Sequence, residues 1–102
     1  MNDRFQNIIN SSNLVLVDFY ADWCRPCKQV PSILKKVKNE LNKPVRIVKV
    51  NVDRNPYIAT RYKVQNLPTI MVFQKGNPTW KAEGVCKPEE IMEVLQNQFS
   101  NK

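Results

Sequence analysis

The sequence predicts an α/β protein: a central mixed sheet of four strands with helices on both faces. Three observations predict it. Apolar runs at Leu14–Tyr20, Val45–Val52 and Thr69–Phe73 are separated by stretches of helical spacing, so strands and helices alternate. Val30, Leu34, Val37 and Leu41 recur on one face of a helix between the first two runs. A crossover helix of that kind makes the strands it joins parallel. Lys75-Gly76-Asn77 then separates Thr69–Phe73 from Thr79–Glu83 by a turn, which makes the last two strands an antiparallel hairpin.

Each element has its own signal. Phe5, Ile8 and Ile9 stand at helical spacing between Asp3 and Asn10, and Ser11-Ser12-Asn13 ends that helix. Leu14 to Tyr20 is apolar on both faces, as in a central strand covered by helices. The next helix runs from about Pro26 to Leu41. Pro31 lies inside it and is expected to kink it, because proline removes a backbone donor and its ring crowds the preceding turn. Pro44 marks the following loop. Val45 to Val52 alternates around Arg46 and Lys49, and Asn55-Pro56 opens a short helix to about Arg61. Lys87-Pro88-Glu89-Glu90 starts the last helix, with proline and acids in its first turn and Ile91, Val94, Leu95 and Phe99 on its buried side.

The 102 residues form one domain, 1–102, large enough to bury a core without staples. No apolar run approaches the roughly 20 residues that cross a bilayer, so no membrane association is expected. Met1 to Asn10 lacks the basic and apolar regions of a secretory signal, which points to the cytoplasm unless a leader has been removed. The net charge of +7 includes a run of Lys35, Lys36, Lys38, Lys43, Arg46 and Lys49. No aromatic residues interleave it for base stacking, so it reads as a solvated face and not as a nucleic-acid site. It would still steer acidic partner proteins.

The chemistry concentrates at Trp23-Cys24-Arg25-Pro26-Cys27-Lys28, where a strand hands over to a helix. Such a turn brings both sulfurs within bonding distance, and the helix N-terminus favours thiolate over thiol. A zinc site needs about four ligands. With no histidine and one further cysteine, Cys86, the chain cannot easily supply them. Three cysteines are also too few for a disulfide scaffold, so the pair reads as redox-active.

Over about Phe5 to Leu95 the sequence resembles the thioredoxin family. Val17-Asp18-Phe19-Tyr20-Ala21-Asp22-Trp23-Cys24-Arg25-Pro26-Cys27-Lys28 is similar to the family's active-site segment. Leu67-Pro68-Thr69 is similar to its cis-proline loop, and Lys49 to Asp53 to its third strand. Gly76 and Gly84 fall at its two characteristic glycines. The resemblance implies the thioredoxin fold and a general protein disulfide reductase. Cys24 would attack a substrate disulfide as thiolate, and Cys27, the more buried sulfur, would resolve the mixed disulfide. Asp18, in the middle of an apolar strand, would be the buried acid behind Cys27. Lys49 would tune it, although a plain solvated lysine fits the basic run nearly as well. Pro68 would adopt a cis bond beside the sulfurs. Trp23, Leu67, Pro68, Gly84 and Val85 would line the groove that docks substrate backbone. No bound cofactor or metal is implied. Electrons would come from NADPH through a flavin-dependent thioredoxin reductase, and the protein would act as a monomer.

The sequence departs from the family pattern in four places. Arg25 replaces the usual glycine beside Pro26, and its charge near the thiolate should raise the potential by roughly 10–20 mV. Pro31 comes one residue earlier than the family's kinking proline. The family's first, edge strand has no counterpart before Asn2, which would leave four strands and an open edge on the next. Cys86 is either a small apolar filler or, if exposed near the groove, a thiol open to oxidation. Two other functions fit the same residues, an isomerase or oxidase of an oxidising compartment and a non-redox subunit of a complex. The intact pair with Asp18 argues against the second. Potentials of about −120 to −180 mV against about −270 mV would separate the first.

Overall fold

A computed structural model describes residues 3–100 of the chain. In order the elements are α1 (Asp3–Ile9), β1 (Leu14–Tyr20), a 3-10 turn (Pro26–Gln29), α2 (Val30–Leu41), β2 (Arg46–Asn51), α3 (Pro56–Arg61), β3 (Thr69–Gln74), β4 (Asn77–Glu83) and α4 (Pro88–Ser100). The four strands form one sheet in the order β2-β1-β3-β4. β1 and β2 are parallel, while β3 runs antiparallel to both β1 and β4.

The alternation along β1 divides the core in two. Leu14 and Leu16 point to one face, where Val30, Leu34, Val37 and Leu41 of α2 meet Ile91 and Leu95 of α4. Val15, Val17 and Phe19 point to the other, against Phe5 and Ile9 of α1 and Ile58 of α3. A strand with both faces covered has no place for a solvated side chain, which is why β1 is apolar almost throughout. Asp18 is the exception, and it lies on the α2 side. On the opposite face Phe5, Tyr62 and Phe73 form a cluster of tilted and edge-on rings, with centroids 5.2–5.9 Å apart.

Three expectations change in detail. Pro31 does not kink the interior of a long helix. It stands in the first turn of α2, where its missing N–H costs nothing, and the preceding turn tightens to 3-10, with the Val30 N–H bonding the Cys27 carbonyl. β4 starts two residues earlier than expected and includes Pro78. An edge strand tolerates proline, and the β3–β4 register shifts at Val72/Phe73 beside it. The hairpin turn needs only Lys75 and Gly76, both at positive φ (52° and 84°), as a two-residue turn of this hand requires. β2 is a sheet edge among the described residues, with Arg46 and Lys49 exposed along it.

Candidate active site

β1 ends at Tyr20, and the chain turns through Ala21–Arg25 into the 3-10 turn, with the Cys24 N–H bonding the Ala21 carbonyl at 3.2 Å. Cys24 and Cys27 thus sit at the C-terminal end of a central parallel strand, joined by a disulfide with S–S 2.19 Å and Cα–Cα 5.4 Å. The Cys27 backbone N–H points at Cys24 Sγ, 3.2 Å away. A backbone donor aimed at a sulfur favours its thiolate form over its thiol.

The two cysteines are almost equally buried, at 3% and 5% exposure, so Cys27 is not the more buried residue. What separates them is the space each borders. Cys24 lines a groove of about 560 Å³ with Trp23, Arg25, Pro26, Leu67 and the α3 side, from Pro56 to Asn66. Cys27 lines a second cavity of about 270 Å³ with Asp18, Tyr20, Lys28, Pro31 and Lys49.

Asp18 is 1% exposed, and neither carboxylate oxygen has a hydrogen-bond partner. Burial pushes its carboxyl up from 3.8 to about 6, while the nearby Lys49 charge pulls it back down. Lys49 is the neighbour of Asp18 in the β1–β2 register. Its ammonium lies 4.6 Å from the centre of the Tyr20 ring, a cation–π contact that keeps it at the cavity wall.

Pro68 is buried and follows a cis peptide bond from Leu67. The loop before it is tied by a hydrogen bond from the Thr69 hydroxyl to the Asn66 carbonyl. Behind it the Gly84 N–H donates to the Pro68 carbonyl at 2.8 Å. Gly84 has φ +92° and open space where a Cβ would lie, so backbone conformation and not crowding calls for glycine there. Trp23 is 71% exposed beside Cys24, and its indole N–H donates to Asp53 at 2.8 Å. Asn51 in turn accepts the N–H groups of Asp53 and Arg54, which fixes that loop.

The structure therefore gathers Trp23, Cys24, Arg25, Pro26 and Leu67 around the groove, and Asp18, Cys27 and Lys49 around the second cavity. Pro68, Gly84 and the exposed Val85 are not among the groove's lining residues; Gly84 reaches the site through its bond to Pro68. Sequence reasoning missed Tyr20 as the seat of Lys49, Asp53 as the anchor of Trp23, and the α3 wall. Their only signal was spatial. Cys86 is half-buried against the α4 side of the core, and burial pushes its thiol upward. Among the described residues no group of three or more metal-ligating side chains comes together.

A dithiol–disulfide pair at the end of a central β-strand, faced by a cis-proline loop and backed by a buried acid, defines a thiol–disulfide oxidoreductase. The thioredoxin family model matches residues 1–97, and the chain belongs to the thioredoxin family. It is 40% identical over 89 residues to a thioredoxin-like protein of Synechocystis, covering 87% of this chain and 85% of that one. It is 41% identical over 95 residues to a thioredoxin of Pyropia yezoensis, covering 93% and 89%. The structure is similar to oxidised mitochondrial thioredoxin 3 of Saccharomyces cerevisiae, with TM-score 0.82, 32% identity and coverage of 92% and 87%. The protein is a protein-disulfide reductase of the dithiol type.

Proposed function

We propose that the chain, acting as one monomeric domain, is a general electron carrier that reduces disulfides in partner proteins, with Cys24 attacking and Cys27 resolving. Cys24 thiolate attacks one substrate sulfur, forming a mixed disulfide as the substrate S–S bond breaks and its leaving thiolate takes a proton. Asp18 accepts the proton of Cys27. The Cys27 thiolate then attacks Cys24 Sγ, closing the intramolecular disulfide and expelling the second substrate thiolate, which takes a proton. Two electrons have passed from the dithiol to the substrate. The observation that carries this division of labour is the separation of the sulfurs, Cys24 on the open groove and Cys27 on the cavity of the unpartnered carboxylate.

Trp23, Leu67, Pro68, Gly84 and Val85 form the docking surface in this reading. Lys49 holds down the Asp18 carboxyl, and Pro26 with Arg25 tunes the pair. Recharging comes from NADPH through a flavin-dependent thioredoxin reductase, in a reducing compartment that we take to be the cytoplasm. The small cysteine count supports such a compartment. Nucleic acid and membrane play no part.

Insulin reduction tests the proposal. With NADPH and a flavin-dependent thioredoxin reductase, the protein should consume NADPH as the insulin chains separate, and Cys24→Ser should not. Equal NADPH consumption by Cys24→Ser would reject Cys24 as the attacking sulfur.

A further inference from the structure

The groove beside Cys24 has an unusual charge pattern. Among the described residues that line it, Arg25 is the one ionisable group apart from the reacting sulfur. The nearby acids lie beside the groove and not on its lining, and Glu83 accepts from the side chain of the lining residue Asn66. Asp53 holds the Trp23 indole, and Asp22 lines the cavity on the Cys27 side with Lys28. Arg25 is exposed. It thus borders a groove of mixed polar and apolar lining, next in sequence to the sulfur that meets substrate. Among the described residues no carboxylate lines that groove to answer it.

We propose that Arg25 is a specificity-determining residue that selects substrates bearing a carboxylate within one or two residues of the attacked cysteine. The proposal rests on the reading of Cys24 as the attacking sulfur. Cα atoms joined by a disulfide stand about 5.5–6 Å apart. A substrate cysteine bonded to Cys24 therefore brings its own chain neighbours within reach of a side chain as long as arginine. The guanidinium presents a planar fork that a carboxylate meets with two parallel hydrogen bonds. A glycine at this position would leave the groove indifferent to charge.

The test uses three synthetic peptides, each a disulfide-linked pair identical except that the cysteines are flanked by glutamate, glutamine or lysine. Pre-reduced protein is mixed with each, and the second-order rate of peptide reduction is followed. The glutamate peptide should react about three- to fivefold faster than the glutamine peptide at low salt, and the lysine peptide more slowly than either. The preference should shrink in 0.5 M salt as the charges are screened. Arg25→Gly and Arg25→Gln should lose the glutamate-to-glutamine ratio, and Arg25→Lys should keep only part of it. Comparing peptides within one variant cancels any effect of Arg25 on the sulfur itself. Lys36→Gln removes an exposed charge outside the groove and should leave the ratio intact, which separates Arg25 from the general pull of a +7 chain. An equal ratio in the wild-type protein and Arg25→Gly would overturn the proposal alone. Failure of the wild-type protein to reduce any of the three would overturn the disulfide-reductase reading and this one with it.

Discussion

Asp18 and Lys49 are partners across the β1–β2 register, yet the lysine ammonium rests over the Tyr20 ring and leaves both carboxylate oxygens of Asp18 without a hydrogen bond. The relationship is one of field and not of contact. Lys49 tempers the cost of ionising Asp18 from the edge of the cavity, and burial still dominates.

Stability should therefore fall as pH rises. The Asp18 carboxyl is raised from 3.8 to about 6, so between those values the folded state binds more protons than the unfolded one. Below about pH 4 the residue is neutral in both states and costs nothing; above about pH 6 the folded state carries the whole penalty, about 3 kcal/mol. Asp18→Asn should raise stability at pH 8 by up to that amount and change little at pH 4. Urea midpoints of the oxidised protein at the two pH values measure it.

Removing the Asp18 carboxyl should also slow reduction. In the proposed mechanism Asp18→Ala removes the acceptor for the Cys27 proton, so release of the reduced substrate should slow near neutral pH while formation of the mixed disulfide is spared. Lys49→Met should move the pH midpoint of the release step upward, because the charge that lowers the Asp18 carboxyl is gone. Tyr20→Leu should move it as well, by freeing the ammonium from its seat. Stopped-flow traces over pH 5–9 separate the two steps.

Cys27→Ser should accumulate a covalent mixed disulfide between Cys24 and a substrate protein, since nothing remains to resolve it, and Cys24→Ser should form none. Non-reducing gels with mass spectrometry of the adduct read this directly.

Arg25→Gly should lower the reduction potential by roughly 10–20 mV, because a guanidinium beside the thiolate stabilises the reduced form. Equilibration with glutathione measures the shift. A potential that does not fall would show that the guanidinium is too well solvated to act on Cys24.

Gly84→Ala should cost about 1–2 kcal/mol, although there is room for the methyl group. The cost is conformational, from a non-glycine residue held at φ +92°. It should also loosen the hydrogen bond to the Pro68 carbonyl and weaken substrate affinity, which a rise in KM in the insulin assay reports.

Periodicity, together with turn and helix-start signals such as Asn55-Pro56, Lys75-Gly76 and Lys87-Pro88, was enough for the order of all eight helices and strands, because β1 and the α2 face are buried on terms that leave few alternatives. Cys24 and Cys27 were legible because a spaced pair at a strand-to-helix handover is a local signal, whereas Pro68 was legible only through the family resemblance of Leu67-Pro68-Thr69. Asp18 was legible because a carboxylate in an otherwise apolar strand is a costly anomaly. The handover at Pro31 was misjudged by a few residues, since a 3-10 turn and a kinked α-helix share the same sequence pattern. The α3 wall of the groove and the Trp23–Asp53 bond were not legible at all. They join residues far apart in sequence, and neither has a periodicity of its own.

The disulfide lies between two separate openings, the groove at Cys24 and the cavity at Cys27. A large protein seated over the first shuts that entrance and leaves the rear one free, where Asp22, Lys28 and Lys49 border solvent. Under the proposed mechanism, the proton that Cys27 gives up then has its own exit, so turnover can finish underneath a bulky client without the complex having to part first.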